Sequence, residues 1–134
     1  MSERREILFR GKRVDNGEWI EGYFLPGNER KSLHPCIFVY LPETQSFECF
    51  DIDIDTLGEY TGLTDKNGKK IFEGDIVKTS HGGSTYYAKI EWDDGSFWVT
   101  NHDIQMPSYI SEVSKTYLEV IGNIYDKPEL LKGE

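Results

Sequence analysis

The sequence predicts an all-β fold made mainly of antiparallel hairpins, with little helix. Three turn sequences that end in glycine, Asp15-Asn16-Gly17, Asn67-Gly68 and Asp93-Asp94-Gly95, separate runs rich in β-branched and aromatic residues. Glycine tolerates the positive φ of tight hairpin turns, and β-branched and aromatic side chains favour strands. Aromatic residues make up 13% of the chain, which argues against disorder and favours packed strands.

The length of the chain is typical of one domain. Folding a chain of 134 residues buries about two-thirds of its unfolded surface, so a core can form without disulfides or a metal. We expect no cofactor. No apolar run approaches the roughly 18 residues that span a bilayer. The first residues lead into a strand without the apolar segment of a signal peptide, so we expect a cytoplasmic protein.

The first half of the chain is predicted to form two hairpins. The first joins residues 7–14 to residues 19–25, and the second joins residues 36–41 to residues 47–54. Residues 36–41 are continuously apolar, which predicts a buried strand.

The two cysteines lie in the two strands of this second hairpin. If Leu41 pairs with Phe47, Cys36 lies opposite Ile52 and Cys49 lies several residues away along the ladder. A disulfide needs Cα atoms within about 7 Å, so we expect free thiols, as in a reducing compartment.

Three aspartates at alternate positions, Asp51, Asp53 and Asp55, are spaced like the first ligands of a calcium-binding EF-hand loop. The rest of that pattern is missing, because Thr56 stands where the loop needs glycine and Gly62 where it needs a bidentate glutamate. Apolar residues occupy the positions between the aspartates. We therefore predict an amphipathic strand with its aspartates toward water, and a weak cation site formed with another loop is the alternative.

The stretch of residues 57–78 is the most patterned part of the chain. It predicts a hairpin turn at Asn67-Gly68, a bend at Gly74 and a new strand beginning at Ile76. Just before it, Asp55 or Thr56 is placed to cap one short helical turn.

The remainder of the chain predicts a third hairpin from residues 86–92 and 97–101. Residues 102–115 are expected to form a loop or a short helix, and residues 117–125 a strand. Pro128 is suited to the first position of a final helical turn.

Three segments of the chain resemble the YopX family, small proteins encoded mostly by phages and prophages of Gram-positive bacteria. The segments are residues 7–12 (ILFRGK), 60–77 (YTGLTDKNGKKIFEGDIV) and 119–131 (EVIGNIYDKPELL). The resemblance implies a mostly β fold with an SH3-like or pseudo-barrel portion. It predicts one domain over residues 1–134, in which the N-terminal hairpins of 1–56 and the barrel portion of 57–134 pack as one unit. No established activity, and so no catalytic residue, comes with it.

Two groups of residues are candidates for binding. The strand order after Gly74 resembles SH3-like barrels, whose aromatic grooves bind peptides, although core packing is the expected role for most of these aromatics. The groove candidates are Tyr86, Tyr87, Trp92, Phe97 and Trp98. The net charge of −9 opposes general nucleic-acid binding, and a basic cluster near the start is the local exception. The cluster is Arg4, Arg5, Arg10, Lys12 and Arg13, for which a solvated, edge-protecting strand is the favoured alternative.

No arrangement typical of catalysis is apparent in the sequence. Three histidines fall in separate predicted loops, and an enzyme would need His81 and His102 to meet Asp103 or Cys36 in one pocket. The third is His34.

We predict a non-catalytic protein that binds a host or phage protein and self-associates. This hypothesis requires an exposed apolar patch. A nucleic-acid module is the alternative, and it requires the basic cluster on one face with Trp or Tyr between its cations. A small hydrolase is the third hypothesis.

Overall fold

The structure, a computed structural model, describes residues 6–31, 33–81, 83–101 and 108–132. Antiparallel strands dominate the described residues, whose one α-helix is short, so the predicted all-β class is confirmed. Two compact units divide the chain, residues 1–60 and 61–134. That residues 1–56 and 57–134 pack as one unit stays a prediction.

Four antiparallel strands build the first unit and pair in the order β1-β2-β3-β4. β1 also pairs with β4, which closes these pairings into a ring. Both predicted hairpins are present, and Gly17 has the positive φ, 73°, that the first turn requires. A 3-10 turn lies between β2 and β3, and the last four residues of β4 belong to the second unit. The elements are β1 Phe9–Arg13, β2 Trp19–Leu25, the 3-10 turn Glu29–Lys31, β3 Cys36–Leu41 and β4 Ser46–Thr64.

The pairing of β1 with β4 contains a register shift between Arg10 and Lys12. Opposite the shift, the Thr56 hydroxyl accepts a hydrogen bond from the Lys12 amide at 2.9 Å and donates one to the Asp53 carbonyl at 2.6 Å. Side chains of this type compete with the strand ladder for backbone groups. β4 continues through both Asp55 and Thr56, so the helical turn predicted there is wrong.

The register of β3 on β4 differs by one residue from the predicted register. Leu41 pairs with Ser46, so Cys36 lies opposite Asp51 and Phe38 lies opposite Cys49. A shift of one residue moves a side chain to the other face of the sheet. Both cysteines are free thiols, and this register places them on the same face, whereas the predicted register separated them.

The second unit holds an antiparallel sheet in the order β10-β6-β7-β8-β9, and β5 pairs with the end of β4. The third predicted hairpin is present as β7 and β8. Part of residues 102–115 forms a helix, and the strand predicted for residues 117–125 is shorter because Tyr117 ends that helix. The elements are β5 Lys70–Phe72, β6 Asp75–His81, β7 Ser84–Asp93, β8 Ser96–Thr100, β9 Ser108–Tyr109, α1 Ile110–Tyr117, β10 Glu119–Asn123 and the 3-10 helix Pro128–Lys132.

An apolar core fills the second unit, with contributions from β5, β6, β7, β8, β10 and α1. Leu63 and Phe97 pack against it. Its buried members are Ile71, Val77, Ala88, Ile90, Val99, Ile110, Leu118 and Val120.

A buried carboxylate fixes the turn at the start of this unit. Asp65 is 3% exposed, and its Oδ1 accepts hydrogen bonds from the amides of Asn67 and Lys69, both at 2.9 Å. Its Oδ2 accepts one from the Val120 amide at 2.8 Å, which joins the turn to β10. Burial alone would raise the pKa of Asp65, but these three backbone donors outweigh burial and hold its pKa below the usual value.

Candidate functional site

Alternation of side chains gives the sheet of the first unit two different faces. Ile37 is fully buried and Ile52 is 4% exposed on one face, where Gly22 leaves room for Ile37. Residues at the alternate positions of β2, β3 and β4 project from the other face, and most of them are aromatic. We call this surface the aromatic face; its residues are Tyr23, Leu25, Phe38, Tyr40 and Phe47.

The rings of the aromatic face contact one another across the strands. Phe38 stacks on Phe47 with centroids 4.9 Å apart and planes 5° from parallel, and Tyr40 meets Phe47 edge-on at 5.1 Å. Tyr23 lies directly opposite Phe38 in the ladder. Water nevertheless reaches most of this surface, because Tyr23 is 61%, Phe47 53%, Tyr40 47% and Leu25 45% exposed.

Such a surface is informative because soluble proteins rarely leave contiguous apolar patches uncovered, and the larger ones mark interaction sites. Each Å² of apolar area withdrawn from water contributes roughly 25 cal/mol. Covering several adjacent rings is therefore a substantial source of binding free energy.

The aromatic face was not predicted from the sequence. The continuous apolar run of residues 36–41 predicted a buried strand, and that interpretation is wrong for Tyr40, which is exposed. A signal was present in β4, where Asp51, Asp53 and Asp55 are exposed as predicted and Ile52 is buried between them, although the alternation fails at Ile54, which is 48% exposed. Extending that alternation backwards places Phe47 on the solvent side as well.

Acidic side chains border the aromatic face. Glu21 precedes Tyr23 by two positions on β2, and Asp51 follows Cys49 by two positions on β4, so each shares the outer side of its strand. Both are exposed.

Part of the predicted basic cluster also lies on this outer side of the sheet. The Arg10 guanidinium lies 4.8 Å and the Lys12 ammonium 5.6 Å from the ring centre of Trp19, within the range of cation–π attraction. In the ladder, Arg10 is opposite Glu21 and Lys12 is opposite Asp53. The local balance of charge is therefore close to neutral.

Arg13, the other member of the basic cluster that the structure describes, does not extend this arrangement. Arg13 lies over the ring of Phe50 at 4.2 Å and forms an ion pair with Asp15 at 2.6 Å. The hydrogen bond to Asp15 is the main cause that raises the pKa of Arg13. Arg4 and Arg5 lie outside the described residues.

The predicted groove aromatics are divided between the two faces of the second sheet. Tyr86, Trp92 and Phe97 share the side of the core, where Trp92 meets Phe97 at 4.9 Å but is half exposed. Tyr87 and Trp98 lie on the opposite side. The structure therefore does not bring the five rings onto one surface, and their role in binding stays a prediction.

The candidates for metal binding and catalysis remain dispersed where they can be located. In the part of the chain that the structure describes, no three His, Cys, Asp or Glu side chains are arranged to hold a metal ion. His34 is exposed in the loop before β3. His102, Asp103 and the side chain of His81 lie outside what the structure describes.

Comparison with known proteins relates nearly the whole chain to one family. A family model described as YopX protein matches residues 8–132. The crystal structure of protein EF1440 from Enterococcus faecalis superposes with a TM-score of 0.61 at 26% sequence identity, and the match covers 96% of this chain and 99% of that one. Among curated proteins no match is found. None of the described helices combines the length and the apolar character needed to traverse a bilayer.

Proposed function

The chain belongs to the YopX protein family, and we propose that it is a non-catalytic protein that binds another protein on its aromatic face. The observation that carries the proposal is the contiguous exposed set of rings at Tyr23, Tyr40 and Phe47. Aromatic side chains are enriched at the centres of protein interfaces, where they supply much of the binding free energy. The sequence resemblance favours a phage or prophage protein that acts in the cytoplasm of a bacterial host.

The charge of the chain indicates the chemistry of the partner. The protein carries a net charge of −9, and Asp51 stands beside the aromatic face, whereas the nearby Glu21 lies opposite Arg10. Complementary potentials accelerate association and exclude wrong partners. We therefore infer a partner with an apolar centre surrounded by lysine or arginine. A second copy of this chain is the less favoured occupant, because two chains of charge −9 repel each other.

The test is a capture experiment in bacterial lysate treated with nuclease, with three forms of the protein as bait. The first is the wild type, and the second carries both Tyr23→Ser and Phe47→Ser on the aromatic face. The third is the control Trp92→Ser, which removes an aromatic side chain of similar exposure, 51%, from the other unit. Any captured protein is then purified and its affinity measured against all three forms at several salt concentrations.

The proposal predicts a basic protein that the wild type and Trp92→Ser retain and the double variant loses. Its affinity should fall at least about tenfold in the double variant, a loss of about 1.4 kcal/mol, and should weaken as salt rises. Equal binding by the double variant, or affinity lost only with Trp92→Ser, contradicts the assignment of the surface. A dimer in light scattering that the double variant abolishes would show that the occupant is a second copy.

A second candidate function, binding of single-stranded nucleic acid, is favoured by the two cations over Trp19. Single strands bind where bases stack on aromatic rings beside positive charge. We rank this function second because the residues opposite Arg10 and Lys12 are acidic. Its test is fluorescence anisotropy with labelled oligo-dT and oligo-U. Nucleic-acid binding would become the favoured function if the protein binds these oligonucleotides in a salt-sensitive way, if Trp19→Ala abolishes the binding and if the control Trp98→Ala retains it.

A further inference from the structure

The two cysteines are neighbours on the outer side of the first sheet, next to the aromatic face. Cys36 of β3 lies opposite Asp51, and Cys49 of β4 lies opposite Phe38. Residues two apart in a strand project to the same side, so the two sulfurs are diagonal neighbours on adjacent strands.

The surroundings of the two thiols differ. Cys36 is 8% exposed, whereas Cys49 is open to solvent. The pKa of Cys36 is raised to about 11, mainly by burial and to a smaller extent by the neighbouring Cys49 and the charge of Asp51. Cys36 therefore keeps its proton at neutral pH, and Cys49 is the sulfur that a dissolved reagent reaches first.

We propose that Cys36 and Cys49 form a redox-modifiable dithiol that a low-molecular-weight disulfide, such as glutathione disulfide, converts reversibly into an intramolecular disulfide. In the first step the Cys49 sulfur attacks one sulfur of glutathione disulfide, forms a mixed disulfide and releases one glutathione thiol. In the second step Cys36 gives up its proton and its thiolate attacks the Cys49 sulfur. The bond between Cys49 and glutathione breaks, and the second glutathione takes up the proton and leaves as a thiol. The protein loses two protons and two electrons, and one glutathione disulfide takes them up and becomes two glutathione thiols.

The position of the pair makes this disulfide reversible. Diagonal neighbours in an antiparallel ladder have Cα atoms about 7–8 Å apart, whereas disulfides prefer at most about 6.8 Å. Closing the bond therefore draws β3 and β4 together locally, and strained disulfides are the more easily reduced ones. Because Phe38 lies directly opposite Cys49 and two positions from Cys36 on β3, oxidation should also shift the aromatic face. That last consequence rests on the proposed docking function.

The experiment places the full chain in glutathione buffers of stepped redox potential, followed by acid quenching, alkylation and intact-mass measurement. The wild type should change from two alkylated thiols to a species lighter by two hydrogens, and dithiothreitol should reverse the change. Cys36→Ser should stop at the mixed glutathione disulfide on Cys49. Cys49→Ser should react far more slowly, because its remaining thiol is buried. Circular dichroism checks that both variants are folded.

Peptide mapping of the oxidised wild type provides a measurement that needs no variant. A peptide that joins Cys36 to Cys49 is expected. Two alkylatable thiols at every potential would overturn the proposal, and so would oxidation that yields only a glutathione adduct or a covalent dimer. These results are independent of the capture experiment, so failure of the dithiol and failure of the docking surface are distinguishable.

Discussion

The two units distribute apolar side chains in opposite ways. Among the residues that the structure describes, the first unit buries four apolar side chains and leaves eight large ones exposed. The second buries ten and exposes two. Burial of apolar area is the main favourable term in folding, so the second unit has the larger source of stability. The apolar surface of the first unit remains available for binding, and the predictions below test this division.

The largest expected effect comes from removing the same side chain in each unit. Ile90 of β7 is 1% exposed within the core, whereas Ile54 of β4 is 48% exposed. Truncating a fully buried isoleucine removes apolar contacts and leaves a cavity, so Ile90→Ala should cost about 4 kcal/mol. Ile54→Ala should cost less than about 1 kcal/mol. Urea unfolding followed by circular dichroism measures the free energy of unfolding of both variants. Similar losses in the two variants would refute the division of apolar side chains between the two units.

A second prediction concerns the buried carboxylate that anchors the second unit. In Asp65→Asn an NH2 group, which accepts no hydrogen bond, replaces one carboxylate oxygen. At least one of the hydrogen bonds from the amides of Asn67, Lys69 and Val120 is therefore lost. Leaving a buried donor unsatisfied should reduce the free energy of unfolding by about 2.5 kcal/mol. The control is Asp94→Asn, at an exposed turn position with φ 50°, which asparagine tolerates. An equal loss of unfolding free energy in Asp94→Asn would show that the buried hydrogen bonds of Asp65 have no special role in stability.

The same carboxylate predicts a pH dependence. The pKa of Asp65 is lower in the folded than in the unfolded chain, so its contribution is complete above the unfolded value, near 3.9. The contribution is lost as the pH falls through the folded pKa, because the unfolded chain takes up the proton first. Acidification below about pH 4 should therefore lower the urea midpoint more in the wild type than in Asp65→Asn. If the urea midpoints of the wild type and Asp65→Asn fall in parallel with pH, the lowered pKa of Asp65 is contradicted.

A third prediction tests whether close backbone packing supports the first unit, where buried apolar residues are few. A Cβ at Gly22 would collide with the Phe38 carbonyl oxygen and lie 2.9 Å from the Ile37 side chain. Separating β2 from β3 to admit a methyl group should cost about 2 kcal/mol in Gly22→Ala. Gly17→Asn is the control, because its turn position has open space and a φ that asparagine adopts. A neutral Gly22→Ala would mean that the two strands separate easily.

The sequence specified those features that depend on local chemistry. The turn glycines Gly17 and Gly68 have the positive φ values expected of them, 73° and 83°, because few other residues adopt such a backbone. The hairpins on either side follow from these turns and from the strand-forming residues around them. The resemblance to the YopX family indicated in addition that these elements belong to one pattern along the chain, and the family model matches residues 8–132.

The features that the sequence did not specify depend on tertiary structure. The turn after Leu41 could close in more than one register, and a shift of one residue changes which side chains share a face. Phe38 and Tyr40 belong to the same run of large hydrophobic residues as Ile37, so the run itself does not show which side is covered. For the same reason the aromatic face and the neighbouring cysteines appeared only with the strand register.

The smallest expected change in stability tests the aromatic face itself. Tyr23 is 61% exposed, so little of its apolar area is buried on folding, and threonine also favours strands. Tyr23→Thr should therefore alter the free energy of unfolding by less than about 0.5 kcal/mol. A substantial loss of stability would show that this ring supports the fold of the first unit. A neutral result combined with weaker capture of a basic partner would separate the role of the ring in binding from any role in folding, because the variant would then remain as stable as the wild type.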